Sequence, residues 1–174
     1  MQAIVVSDTN IFIDLKNADL LECFFQLPFE IHTTDFVVYE LIKDHIKEEI
    51  LKYQSQNKLH IKTFNEAEIK EVNNLCFSQQ EKLSYTDCSV WYYAKKNNYI
   101  LLTGDLCLRK TVDTDSVEVH GTLYLFDLFV EYGILKKEIA AKKLKQLFSE
   151  VYKTRLPVHE VNSRILKWEN RCNP

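Results

Sequence analysis

Residues 5–15 read VVSDTNIFIDL. An apolar run that begins at Ile4 halts on Ser7-Asp8-Thr9-Asn10, after which the apolar pattern resumes. A buried strand that stops on an acid at the mouth of a helix carries either a helix cap or part of a site. Further short runs of β-formers follow at residues 30–32, 59–64 (alternating), 99–103 and 117–120. The YILLT of 99–103 is near-continuous in apolar character, as strands buried on both faces are. Helical patterns lie between and after them, over 11–25, 35–54, 65–76, 84–96, 122–132 and 136–152. Strand–helix alternation predicts an α/β domain with a central, mostly parallel sheet, since parallel neighbours need a crossover helix between them.

Bulk properties narrow the class. A chain of 174 residues buries a proper core as one domain, and only 3 Gly and 3 Pro leave no room for a linker or low-complexity segment. Its first strand starts within a few residues of the N-terminus, so no secretory leader is expected. No apolar stretch approaches the ~20 residues of a membrane helix, so a soluble, cytoplasmic protein with no membrane partner is expected. Five scattered cysteines (23, 76, 88, 107 and 172) form no CxxC, and no histidine stands at zinc spacing beside them. Reduced thiols are expected. The formal net charge of −3 hides an asymmetry: residues 136–171 carry ten Lys and Arg against four Glu, a net of +6, leaving −9 elsewhere. Lys142, Lys143 and Lys145 in this basic tail read as solvated.

In open α/β sheets, ligands bind outside the carboxyl ends of the strands. Asp8 directly follows the first strand, and Asp105 follows YILLT after one glycine. Glu40 lies one turn into the helix after the second strand, in TTDFVVYELIK, and Asp87 lies in the first turn of the helix starting at Ser84. Each acid also has a purely structural reading. Asp8 can cap the helix beginning near Ile11, Asp87 completes a capping box with Ser84, and Asp105 can cap a helix through LCLRK. Glu40 can pair with Lys43, as Asp44 can with Lys47. Gathered at one sheet edge, however, like charges ~4 Å apart repel by about 4 kcal/mol per pair at an effective dielectric of about 20. A cation must relieve them. An all-oxygen donor set suits Mg²⁺ or Mn²⁺, and two such ions support attack of water on a phosphodiester.

These motifs together resemble the PIN domain, a family of Mg²⁺/Mn²⁺-dependent nucleases that includes VapC-type toxin ribonucleases. The resemblance rests on VVSDTNIFIDL, VVYEL around Glu40, LSYTDCSVWYYA around Asp87 and ILLTGDLCLRK around Asp105, in matching order over residues 3–133. It implies a three-layer α/β/α fold, with residues 1–174 forming one domain: a core of 1–133 and a helical extension over 134–174. It implies that Asp8, Glu40, Asp87 and Asp105 bind Mg²⁺ or Mn²⁺ and position or deprotonate the hydrolytic water, with Asn10 and Thr103 orienting the carboxylates. The implied activity is that of an endoribonuclease, the toxin of a toxin–antitoxin pair, with RNA, an antitoxin protein and a second copy of the chain as partners. The apolar YLFDLFVEYGIL supports the homodimer by exceeding what one buried helix face needs. Many relatives carry a glycine where this chain has Lys82.

Arg109 and Lys110, one helical turn after Asp105, are placed to meet a phosphate. Tyr85, Trp91 and Tyr92 offer stacking surfaces but fit a buried helix face better. Alternatives from other chemistries lack their signatures: no glycine-rich first turn for a dinucleotide, no GxSxG elbow, and Asn10 where a haloacid-dehalogenase phosphatase needs a second Asp. The rival that stands is a PIN-like binding or interaction module without turnover.

Overall fold

A computed structural model describes residues 3–41, 46–79, 82–112, 116–149 and 156–169. In chain order the elements are β1 (Ala3–Ser7), α1 (Thr9–Asn17), α2 (Leu21–Phe24), β2 (Phe29–Thr34), α3 (Asp35–Glu40), α4 (Lys47–Ser55), β3 (Leu59–Lys62), α5 (Glu66–Ser78), α6 (Tyr85–Asn97), β4 (Ile100–Leu102), α7 (Leu106–Val112), β5 (Val119–His120), α8 (Thr122–Glu131), α9 (Lys137–Leu147) and α10 (Val158–Glu169). They fall into two compact units. One comprises Met1–Ile13 and Pro28–His120, the other Asp14–Leu27 and Gly121–Pro174.

The first unit is α/β. Its five strands run in the order β3-β2-β1-β4-β5, every pairing parallel. The order reverses at β1, so the crevice outside the carboxyl end of β1 is a topological switch point, where such sheets bind ligands. Val5, Val6, Ile31, Leu101 and Leu102 are buried, as strands covered by helices require. Alternation along β2 splits its side chains between faces. His32 and Thr34 meet α6, with His32 Nδ1 2.7 Å from Tyr93 Oη and Thr34 Oγ1 3.0 Å from Ser89 Oγ. Thr33 turns the other way and donates to the Ser7 carbonyl at 2.8 Å.

α6 is the helix that spans the sheet. A capping box of Ser84 and Asp87 starts it. Asn98 ends it in the left-handed region, φ 55°, as the Tyr99 amide reaches back to the Ala94 carbonyl at 3.0 Å. Between these ends Cys88, Ser89, Val90, Trp91, Tyr92 and Ala94 are all buried, so Trp91 and Tyr92 are core residues.

The second unit is helical. Phe126 and Trp168 stack at 6.4 Å between ring centroids, and Arg164 grips both carboxylate oxygens of Asp127 at 3.1 and 2.7 Å. Lys143 pairs with Asp19 at 3.0 Å and Lys145 with Glu169 at 2.5 Å. Leu123, Leu125, Phe126, Leu128 and Phe129 are buried within the chain itself. The apolar excess over 124–135 is therefore largely consumed internally and does not argue for a second copy. No described helix is long and apolar enough to cross a membrane.

Three predicted helices differ. The pattern over 11–25 is two helices, because Asp19 adopts φ 51° and closes a Schellman turn, Asp19 N to the Lys16 carbonyl and Leu20 N to that of Leu15. The pattern over 35–54 is α3 and α4; Lys43 and Asp44, and so their pairings, lie outside the described residues. The helix predicted to 152 is described to Leu147, with 150–155 and Cys172 outside.

Leu101 has no exposed surface in β4, between β1 and β5. Leu101→Ala should cost about 2–5 kcal/mol in denaturant unfolding; a cost below 1 kcal/mol by the same order-of-magnitude scale contradicts this placement.

Candidate functional site

Asp8 follows β1 at the switch point. Its amide extends the ladder to the Leu102 carbonyl at 2.9 Å, which fixes the residue against β4. The side chain is 1% exposed. Its Oδ1 accepts from the Thr9 amide at 2.6 Å, and its Oδ2 accepts from Thr103 Oγ1 at 2.8 Å and from Asn10 Nδ2 at 3.4 Å. Thr103 also accepts the Asp105 amide at 3.0 Å, so one hydroxyl ties two strand-end acids together. Thr103 and Asn10 thus lie against Asp8, the first in a short bond and the second in a long one.

Glu40 is half-buried and lies one turn into α3, as its last residue, because the helix expected to run on to 54 ends there. A helix C-terminus disfavours negative charge. Its Oε2 accepts from Thr9 Oγ1 at 2.7 Å. Thr9, which sequence reasoning passed over, therefore touches both Asp8 and Glu40 from the SDTN stretch. Asp87 holds the Ser84 amide at 2.9 Å while its own amide bonds Ser84 Oγ at 3.0 Å. Asp105 Oδ1 accepts the Leu108 amide at 2.7 Å at the start of α7. The capping geometries expected of Asp87 and Asp105 are both present, and neither uses the whole carboxylate.

Electrostatics joins the acids. Burial raises the Asp8 pKa from 3.8 to about 7, and the charge of Asp87 adds to the rise. Burial likewise raises Asp87, against the Ser84 hydrogen bonds, with the charges of Asp105 and Glu40 pushing further upward. Asp87 is thus the hub through which Asp8, Glu40 and Asp105 feel one another. No cationic side chain is among the largest influences on either group. The all-oxygen donor set fits a hard divalent ion. The carboxylates stand apart, however: among the described residues, the three ligand atoms found within 4.8 Å of one another belong to Glu30, His32 and His60, not to any three of these acids.

Arg109 is half-buried and Lys110 exposed on α7, where they line a cavity of about 290 Å³ with Leu106, Val117 and Val119. Tyr85 is half-buried and packs edge-on against Phe36 at 4.8 Å. Lys82 is exposed, its carbonyl taking a weak bond from Cys107 Sγ at 3.5 Å. Cys23, Cys76, Cys88 and Cys107 are free thiols. In the second unit, burial lifts Asp14 to about 6 despite a 2.6 Å bond from Thr122 Oγ1; nothing in its spacing singled it out.

A family model described as PIN domain matches residues 4–169. No curated protein matches the chain. The structure of PAE2754 from Pyrobaculum aerophilum is similar with a TM-score of 0.52 at 16% identity, over 74% of this chain and 98% of that one. VapBC2 from Rickettsia felis, bound to a DNA fragment from its promoter, gives 0.46 at 17% identity over 68% and 98%. VapBC-1 from nontypeable Haemophilus influenzae gives 0.47 at 18% over 68% and 98%. At such identity the likeness to PAE2754 is one of fold.

A raised acid pKa destabilises the fold once the acid is charged. Without metal, folded Asp8 titrates near 7 and unfolded Asp near 3.8, so the folded state binds more protons across that window. Stability should fall as pH rises through it, with the penalty complete above about 7. Asp8→Asn removes this slope, while Asp14 contributes equally to both proteins. In chelator, the variant's advantage should grow from near zero at low pH to on the order of 4 kcal/mol. A difference independent of pH in paired thermal melts contradicts the burial of a strained carboxyl.

Proposed function

The chain belongs to the PIN domain family, and on that premise we propose that it is a metal-dependent endoribonuclease in which Asp8, Glu40, Asp87 and Asp105 hold Mg²⁺ or Mn²⁺ at the carboxyl edge of the sheet. The observation that carries this reading is a buried acid, Asp8, pushed to about 7 by burial and by a neighbouring carboxylate, with hydrogen bonds and no cation as its main offsets. Perturbed carboxyls at a sheet's switch point are where function is expected. Divalent ions held there supply a water of lowered pKa and charge stabilisation for phosphodiester hydrolysis.

The chain's own residues do the rest. Thr103 and the Thr9 amide fix the two oxygens of Asp8, and the Thr9 hydroxyl steadies Glu40. Arg109 and Lys110 take the RNA phosphates from α7. Tyr39 (71% exposed) and Leu106 (51%), each next in sequence to a site acid, give bases or a partner an apolar surface. In this reading the protein is a cytoplasmic toxin restrained by an antitoxin protein. The rival, a binding module without turnover, draws on the caps made by Asp87 and Asp105.

One pair of variants separates them. Asp87→Asn keeps an acceptor for the Ser84 amide but discards the charge. It should abolish EDTA-sensitive RNA cleavage with the melting temperature unchanged or raised. Ser84→Ala breaks the same capping box at a cost of about 1 kcal/mol and should leave activity per folded molecule intact. Unchanged specific activity in Asp87→Asn favours the module and sinks the nuclease.

A further inference from the structure

A second group of metal-ligating side chains lies away from the acids. Glu30 and His32 sit two residues apart on β2, on one face of the strand, and His60 is the register partner of His32 on β3. Their ligand atoms all lie within 4.8 Å of one another. His32 Nε2 is 2.9 Å and His60 Nε2 3.7 Å from Glu30 Oε1, and the two imidazoles approach at 4.8 Å between centroids. The second distance is too long for a hydrogen bond. Donors sharing one tetrahedral zinc at 2.0–2.2 Å stand about 3.3–3.6 Å apart, which falls between the two observed separations.

The surroundings suit an ion. His32 is 8% exposed, and its Nδ1 lies 2.7 Å from Tyr93 Oη. A tyrosine hydroxyl can accept from Nδ1–H, the tautomer in which Nε2 has its lone pair for a metal. Tyr99 packs edge-on to the same ring, centroids 5.5 Å apart. Burial also lowers the His32 pKa, favouring neutral imidazole. His60 is exposed and opens the cluster to solvent, β3 being the edge strand.

We propose that Glu30, His32 and His60 form a second metal site, for a late first-row divalent ion of the Zn²⁺ class, that clips the edge strand β3 to β2. Two nitrogens and one carboxylate select against Mg²⁺, Mn²⁺ and Ca²⁺, so the two sites take different metals. The ion replaces the proton that His32 Nε2 shares with Glu30, and Tyr93 Oη then accepts from Nδ1–H. A bound ion stabilises the folded chain by mass action.

The test is a Zn²⁺ titration of the chelator-stripped full chain, followed by imidazole ¹⁵N NMR and thermal melts, with Mg²⁺ alone in parallel. One equivalent of Zn²⁺ should move the His32 and His60 ring-nitrogen signals and raise the melting temperature, while Mg²⁺ moves neither ring. His60→Gln, an exposed change that spares the core, should weaken Zn²⁺ by more than the ~100-fold upper range of outer-partner losses. Tyr93→Phe should weaken it by about 10–100-fold. Asp87→Asn should keep full Zn²⁺ affinity. Ring signals that stay in place, or affinity that survives both His60→Gln and Glu30→Gln, leave an ordinary hydrogen-bonded His–Glu pair and overturn the site.

Discussion

A carboxylate sealed at the end of the central strand is the constraint on which this structure turns. Water solvates a free aspartate far better than a sheet edge can, and three hydrogen bonds to Asp8 only partly replace that water. The fold nonetheless places a second acid close enough to raise the first. Stability alone selects against this arrangement. Perturbation of this kind is how sites are built: the parallel sheet delivers strand ends to one edge, and the helices that follow deliver Glu40, Asp87 and Asp105 toward it.

In the proposed reading the same residues serve structure and chemistry at once. The Asp87 carboxylate closes a capping box, and the Asp105 carboxylate starts α7. Such caps hold side chains in one rotamer, which a metal ligand also needs. Thr103 shows the economy best, bonding the Asp8 carboxylate and the Asp105 backbone with one hydroxyl. Capping and ligation are therefore compatible uses of one carboxylate, and geometry alone does not decide between them.

Much of this was legible in the chain. The apolar run into Asp8 marked β1, YILLT marked β4, and Ser84 with Asp87 marked the start of α6, because each depends on neighbours in sequence. What was hidden depends on neighbours in space. The Thr9 hydroxyl meets Glu40 only after α3 is laid beside β1. His60 joins Glu30 and His32 only through parallel strand register. The break at Asp19 needed a left-handed residue that is not glycine, which carries no strong sequence signal. That Glu40 closes a helix was hidden because the helical pattern runs on past the point where α3 ends.

The most direct measurement is the Asp8 carboxyl pKa, followed by carbon NMR with and without Mg²⁺. The account predicts a value near 7 in chelator and a marked fall on adding Mg²⁺, as the shared ion replaces the proton. A value near 3.8 in chelator, or one that Mg²⁺ leaves unmoved, contradicts a metal-sharing acidic centre.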